Sequence, residues 1–334
     1  MQCRAKCNNF HFGFGGGVSY FVSPMQTIRR AVIDVGTNSI KLLVADVAGR
    51  DVKPVLEESK QTRLGKDFYE THRLQPESVA HTAAAVWEFA EIAREKNSSS
   101  IRVIATSAAR DAKNPTDLTS AIERASGLKT EIISGVREAE WVFQGVTTDL
   151  ELAKTPLLLL DVGGGSTEFI LGHGAKKNFA HSFPLGTVRL LEKFPHGDPP
   201  SKSEFASCRD WLRKFLHGEV RPQLEPALKN ETGEIRLVGT GGTTSILARM
   251  VNKLDRFDRE KIERTILSFE QIVASRKNLW KLPLAERKEI PGLPKLRADV
   301  ILTGALIYET VMEEFGFNEL RVSTRGLRFA AVMD

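Results

Sequence analysis

One six-residue pattern occurs twice in this chain and constrains its fold more than any other feature. The run DVGTNS at residues 34–39 returns as DVGGGS at residues 161–166, and each copy lies between two apolar runs rich in β-formers. Each copy therefore predicts a strand, a tight turn and a second strand. Two copies of one hairpin indicate two domains of related fold whose turns face each other across a cleft.

The composition of the two turns is typical of a phosphate-binding loop. Glycine lets the backbone approach an oxyanion closely, and serine or threonine adds a hydroxyl donor. An aspartate before each turn repels phosphate unless a divalent cation lies between them, so the pattern predicts Mg²⁺ or a similar hard metal. A single such turn is more often only a turn. The duplication favours one nucleotide or polyphosphate bound between two lobes.

The composition limits the classes of partner. The chain has 334 residues, 41% apolar and 27% charged, which suits two globular domains. A net charge of +5 fits a polyanionic ligand but lacks the dense basic clusters of a nucleic-acid binder, so we predict no nucleic-acid partner. We also predict no membrane association and a cytoplasmic location, because no signal peptide or long apolar run is present. Cys3, Cys7 and Cys208 complete neither a disulfide framework nor a zinc site.

Three regions follow from the pattern along the chain. Residues 1–24 interleave glycine and aromatic residues without a period, which predicts a disordered tail or an upstream extension of the reading frame. Residues 25–150 form the first predicted domain. Residues 151–334 form the second, because a polar stretch ending at Pro156 precedes the second hairpin.

The remaining periodicities predict a mixed α/β chain. Strands are expected at residues 52–58, 101–105, 131–133 and 235–238. Helices are expected after Pro76, from Asn114-Pro115, from Gly135, and at residues 203–216, 243–251, 269–280 and 298–315. The Gly/Thr loop at residues 239–244 fits either a third phosphate or nucleotide loop or an ordinary helix start.

Four segments carry a resemblance to a known family. Residues 33–39, 104–111, 133–139 and 161–168 resemble, in order, motifs of the exopolyphosphatase and guanosine pentaphosphate phosphohydrolase family. The resemblance extends from about residue 30 to about residue 330. It implies the fold of the actin, sugar kinase and Hsp70 ATPase superfamily: two actin-like (ribonuclease H-like) α/β domains with a cleft between them.

The resemblance also implies roles for individual residues. Glu138 matches the glutamate that activates water, and Arg110 and Glu168 match further catalytic positions. The family often has a second acid just before that glutamate, where this chain has Arg137. By the same match, the residues that would bind substrate phosphate are Thr37, Asn38, Ser39, Gly163, Gly164, Gly165 and Ser166, and those that would hold Mg²⁺ are Asp34 and Asp161.

The function implied is hydrolysis of the terminal phosphoanhydride of inorganic polyphosphate, with release of orthophosphate. Three alternatives remain open at this point: the same chemistry on the 5′ end of guanosine pentaphosphate, an ATP-dependent kinase of the superfamily, and a non-catalytic polyphosphate or nucleotide sensor. The chain resembles the short, two-domain form of the family. A homodimer is a further expectation, because two-domain members of such a fold often pair. No apolar stripe in the sequence marks an interface.

Overall fold

The computed structural model describes residues 26–334. The prediction of a tail at residues 1–24 lies outside the described residues. The strands are β1 (Ile28–Val35), β2 (Ile40–Ala48), β3 (Asp51–Lys60), β4 (Ser100–Ala105), β5 (Thr130–Ile132), β6 (Leu157–Val162), β7 (Thr167–His173), β8 (Lys176–Phe183), β9 (Arg236–Thr240), β10 (Ile266–Ser268) and β11 (Glu319–Val322).

The helices connect and cover these strands. They are α1 (Pro76–Glu95), α2 (Ser107–Asp111), α3 (Pro115–Ser126), α4 (Gly135–Val146), α5 (Leu150–Ala153), α6 (Thr187–Lys193), α7 (Lys202–Phe215), α8 (Arg221–Lys229), α9 (Gly241–Val251), α10 (Arg259–Glu263), α11 (Phe269–Lys281), α12 (Leu284–Arg287), α13 (Ile301–Phe315) and α14 (Leu327–Ala331). A π-helical turn spans Leu216–Val220 and a 3₁₀ turn spans Lys295–Arg297.

Two sheets share one topology. The first has the order β3-β2-β1-β4-β5, and the second has the order β10-β11-β9-β6-β7-β8. In each sheet three consecutive strands form an antiparallel meander, and two further strands add in parallel beside the first strand of the meander; the second sheet has one more edge strand, β10, which is antiparallel to β11. The expected duplication of a hairpin therefore extends to the whole sheet, and the prediction of two related α/β lobes is confirmed.

The apolar clusters explain why the inner strands are apolar throughout. Helices cover both faces of each sheet, so the residues of β6 are buried on both sides. One cluster joins the first sheet to α1 and α3, and another joins the second sheet to α7, α9 and α13. A third cluster lies between the sheets and contains α4 and α14 with residues from both lobes, such as Val32 and Leu159.

The last helix returns to the first lobe. α14 packs against α4 so closely that a Cβ on Gly145 would lie 2.0 Å from the carbonyl oxygen of Gly326. Arg30 of β1 donates to the carbonyl oxygen of Met333 at 2.9 Å, and Arg328 donates to that of Leu42 at 2.8 Å. Residues 327–333 thus contact the first sheet, while the boundary expected near residue 150 stays a prediction.

Most predicted elements are present with shifted ends. The helix from Pro115 begins as expected, but the Asn114 side chain does not cap it. Its amide oxygen instead accepts a hydrogen bond from the backbone of Leu74 at 2.9 Å. No described helix is long and apolar enough to cross a bilayer. The predicted cytoplasmic location and homodimer stay predictions.

Candidate active site

Both hairpin turns open onto one cleft between the lobes. The cleft holds a cavity of about 790 Å³, lined by the two turns, the start of α4 and the start of α9. The turns lie at the carboxyl ends of β1 and β6, where ligands usually bind in open α/β sheets. The expectation that the repeated loops face each other is therefore confirmed.

The two turns have the same backbone hydrogen bond. The N–H of Gly36 donates to the carbonyl oxygen of Ser39 at 3.1 Å, and that of Gly163 donates to Ser166 at 2.9 Å. The loops also touch across the cleft, because a Cβ on Gly165 would lie 3.0 Å from Thr37 Oγ1. Glycine at this position therefore allows the two turns to approach each other.

The strand register places charged residues at equivalent points of the two hairpins. Asp34 is paired with Lys41 across β1 and β2. Asp161 is paired with Glu168 across β6 and β7. Sequence reasoning missed Lys41, although the repeat contained the signal, since Lys41 stands where the second copy has Glu168. The cleft thus receives three carboxylates and one ammonium group from the two turns.

Glu138 lies in the first turn of α4, at the floor of the cleft. The Ser134 hydroxyl caps this helix by accepting a hydrogen bond from the Arg137 N–H. The Glu138 side chain is 10% exposed, and its Oε2 lies 2.8 Å from Nη1 of Arg110. Burial raises the pKa of Glu138 to about 7, even though Arg110 favours the ionised form. A carboxylate with such a pKa can accept a proton near neutral pH.

Arg110 stands behind Glu138 and is not among the residues that line the cavity. It follows β4 through the short helix α2, and its Nη1 also donates to the carbonyl oxygen of Ile133 at 3.2 Å. The close approach of α4 depends on Gly135, whose added Cβ would meet Ser182 Cβ at 2.8 Å. These contacts hold the Arg110 guanidinium against the Glu138 carboxylate.

The other carboxylates are buried beside Glu138. Ser182 Oγ donates to Glu168 at 2.6 Å. Burial raises the pKa of Glu168 well above its usual range, and the nearby charges of Glu138 and Asp161 add to the effect. Burial also raises the pKa values of Asp34 and Asp161, while Lys41 opposes this for both. Such a concentration of buried acid charge is typical of a site that receives a cation or protons.

The residues present fit a magnesium ion held partly by substrate. Within residues 26–334 no group of three or more His, Cys, Asp or Glu side chains converges as a complete metal site. Mg²⁺, however, commonly uses one or two carboxylates and completes its shell with water and substrate phosphates. Asp34 and Asp161 both line the cavity, and the buried Oδ1 of Asp34 has no hydrogen-bond partner. These two aspartates are suitable ligands.

The structure gathers the predicted residues as follows. All of them except Arg110 line the cavity: Asp34, Thr37, Asn38, Ser39, Glu138, Asp161, Gly163, Gly164, Gly165, Ser166 and Glu168. Arg137, which replaces the second acid of the family pattern, points elsewhere. It pairs with Asp334 at 2.9 Å and lies over the Trp141 ring at 4.6 Å. The residue at position 137 therefore contributes no side chain to the lining of the cleft.

Sequence reasoning missed lining residues such as Ser107 and Arg297, whereas the Gly/Thr loop at residues 239–244 was one of its open candidates. Ser107 is buried, its Oγ has no hydrogen-bond partner, and it lies opposite Gly165. Arg297 reaches from the 3₁₀ turn to Ser39 Oγ at 3.4 Å, and burial lowers its pKa to about 10. Gly241 has a φ of +85°, and a Cβ there would lie 2.2 Å from Asp161 Oδ1. The Gly/Thr loop therefore contacts the site.

Comparison with known sequences gives consistent matches. The model of the Ppx/GppA phosphatase family matches residues 43–333. Exopolyphosphatase 2 of Mycobacterium tuberculosis is 33% identical over 314 residues, which are 90% of this chain and 96% of that protein. The bifunctional 3-dehydroquinate synthase/phosphatase of Fusobacterium nucleatum is 30% identical over 321 residues, which are 91% of this chain but only 46% of that protein.

Solved structures agree with the sequence matches. A Ppx/GppA family member from Aquifex aeolicus is 30% identical, with a TM-score of 0.74, and the match covers 92% of this chain and 97% of that one. An exopolyphosphatase from Cytophaga hutchinsonii is 27% identical, with a TM-score of 0.81, and the match covers 90% and 96% of the two chains. The predicted actin-like fold of two α/β domains is confirmed.

Proposed function

Because the chain belongs to the Ppx/GppA phosphatase family, we propose that it is an exopolyphosphatase that removes the terminal phosphate of inorganic polyphosphate as orthophosphate. The observation that carries the proposal is Glu138, a buried carboxylate with a pKa of about 7 at the floor of the cleft between two glycine-rich turns. Its placement supports general-base chemistry on water at a phosphate bound by those turns.

In the proposed reaction, Glu138 takes a proton from a water molecule that attacks the terminal phosphorus. The bond between that phosphorus and the bridging oxygen breaks, and the oxygen stays with the shortened chain, which leaves as its phosphate anion. Phosphoryl transfer asks a protein mainly for alignment and charge neutralisation. The N–H groups of the turn at residues 163–166 and the hydroxyls of Thr37 and Ser39 would orient the terminal phosphate.

Arg110 has a supporting role in this proposal. Its guanidinium binds Glu138 at 2.8 Å and so fixes the direction of the carboxylate. After proton transfer it no longer faces a charged partner, so its interaction favours the ionised, active form of Glu138. Mg²⁺ held by Asp34 and Asp161 would neutralise charge on the substrate phosphates. Glu168, which accepts a hydrogen bond from Ser182, would orient groups beside those substrate phosphates.

Guanosine pentaphosphate is a second candidate substrate. The cavity continues past the start of α9 to Ile246 and Phe257, and Phe257 is an exposed aromatic side chain. An aromatic surface at one end of a phosphate-binding cleft suits a nucleobase. This observation favours a nucleotide in addition to polyphosphate, with the same Glu138 chemistry at the terminal phosphate.

The test is orthophosphate release from long-chain polyphosphate, tripolyphosphate, guanosine pentaphosphate and ATP, each with Mg²⁺. Fastest turnover of long polyphosphate supports the proposal, and fastest turnover of guanosine pentaphosphate supports the second candidate. Phosphate transfer from ATP that depends on an added acceptor would indicate a kinase instead. Tight binding of polyphosphate without turnover of any of the four would indicate a sensor and would refute the hydrolase.

A further inference from the structure

Arg189 of α6, in the second lobe, contacts three groups at the junction of the lobes. Its Nε donates to the carbonyl oxygen of Gly165 at 2.9 Å. Its Nη2 lies 3.0 Å from Oδ2 of Asp111 in the first lobe. Its guanidinium also lies over the Tyr69 ring, 4.1 Å from the centroid. One side chain thus joins a phosphate-binding turn of one lobe to a helix of the other.

Asp111 lies between two arginines. Its Oδ2 faces Arg189, while its Oδ1 lies 3.8 Å from Nε of Arg110. Arg110 binds Glu138 through Nη1 at 2.8 Å. Asp111 and Glu138 therefore share one guanidinium through different nitrogens, and a stronger attraction to Asp111 would draw it away from Glu138. All four side chains are at least two-thirds buried, where attraction between charges is several times stronger than in bulk water.

We propose that Arg189 is a positioning residue for the reaction: by neutralising Asp111 it leaves Arg110 bound to Glu138. Because Arg189 and Asp111 belong to different lobes, a contact between the lobes supports the Arg110–Glu138 pair within the first lobe. This inference rests on the proposed function, since it assigns Glu138 the role of the base.

Neighbouring contacts of α6 keep the lobes together when Arg189 is changed. Glu192, one turn further along the helix, accepts hydrogen bonds from the backbone N–H groups of Tyr69 at 2.8 Å and Phe68 at 3.3 Å. Glu192 touches neither Asp111 nor Arg110 in the hydrogen bonds and ion pairs of the described residues. It therefore offers a matched control for a general loosening of α6.

The test compares turnover of Arg189→Gln, Arg189→Lys and the double variant Arg189→Gln/Asp111→Asn. Glutamine keeps a donor for Gly165 but leaves Asp111 unneutralised, so we expect kcat to fall about tenfold or more while KM changes less than about threefold. Lysine keeps the positive charge and should retain most of the turnover. Adding Asp111→Asn removes the competitor for Arg110, so it should restore most of the kcat that Arg189→Gln lost.

Two outcomes would overturn the proposal. One is wild-type kcat in Arg189→Gln. The other is a double variant as slow as Arg189→Gln, which would show that the loss of turnover does not come from the unneutralised charge of Asp111. Glu192→Gln weakens only the contact of α6 with Phe68 and Tyr69, so adding Asp111→Asn should not restore the turnover of that variant. A crystal structure of Arg189→Gln adds a measurement without turnover: Arg110 should lie on Asp111, and Arg110 still on Glu138 would contradict the inference.

Failure of this inference differs from failure of the proposed function. Wild-type protein that releases no phosphate from any phosphoanhydride would remove the proposed function, while the position of Arg110 in the Arg189→Gln crystal would still test the pairing. An active wild type with no rescue by Asp111→Asn would remove only the positioning role of Arg189.

Discussion

The titration of Glu138 predicts how turnover depends on pH. Burial raises the pKa of this carboxyl to about 7, the charges of Asp161 and Asp34 act in the same direction, and Arg110 opposes them. A general base works in its ionised form, so the raised pKa means that activity is lost as pH falls through neutrality. A glutamate with an ordinary pKa would lose its activity only near about pH 4.5.

The expected size of the effect follows from that pKa. At about pH 6 roughly one-tenth of Glu138 is ionised in the free enzyme, and at about pH 8 roughly nine-tenths, so kcat/KM should rise about tenfold between them. Glu138→Gln keeps the shape of the side chain but cannot accept the proton. We expect it to retain substrate binding while kcat falls by about 10²–10⁴, and to lose the acid limb of the profile.

The assay is initial-rate phosphate release at substrate concentrations well below KM, with fixed Mg²⁺ and constant ionic strength across the pH range. Titration of the substrate itself would persist in the residual activity of Glu138→Gln, so the difference between the two profiles belongs to the enzyme. Glu140→Gln is the control, because Glu140 is on the same helix but pairs with Lys177 outside the cavity lining. An acid limb that survives in Glu138→Gln, or near-normal turnover of that variant, would refute the assignment.

Two further predictions concern the Gly/Thr loop and the cation. Gly241→Ala should lose both stability and turnover, since its φ of +85° disfavours a side chain and the new Cβ would lie 2.2 Å from Asp161 Oδ1. Gly127 also has a positive φ, but a Cβ there would meet nothing within 4 Å, so thermal unfolding of Gly127→Ala should show a loss of roughly 1–2 kcal/mol with normal turnover. Equal losses of turnover in the two variants would contradict this. Chelation of divalent cations should abolish phosphate release, and Mg²⁺ should restore it. In Asp34→Asn the half-saturating Mg²⁺ concentration should rise, and an unchanged value would exclude Asp34 as a ligand.

The repeated hairpin made the centre of the molecule predictable. Local sequence determines the strands at residues 28–35 and 157–162 and the turns that follow them. Two copies of one strand–turn–strand unit place their turns at the same end of their sheets. The register that places Glu168 beside Asp161 also follows from the hairpin. Lys41 was available by the same comparison and was missed because only identical residues of the repeat were matched.

Contacts between the lobes could not be predicted in this way. Arg189 meets Tyr69, and Ser107 faces Gly165, only because the two lobes lie in one particular orientation, and no local period records that orientation. The short helix α14 was missed for a different reason. Its five residues are too few to show helical periodicity, and its formation depends on packing against α4.

The return of residues 327–333 to the first sheet has a consequence for biosynthesis. Trp141 and Phe143 of α4 share an apolar cluster with Phe329, which the ribosome adds almost two hundred residues later. The first lobe therefore stays incompletely covered while the second is being made, and such a nascent intermediate exposes apolar surface that favours chaperone binding. Residues 327–333 complete the covering of the first lobe only after the second lobe has been synthesised. We therefore expect the two lobes to reach their folded state together rather than in order of synthesis.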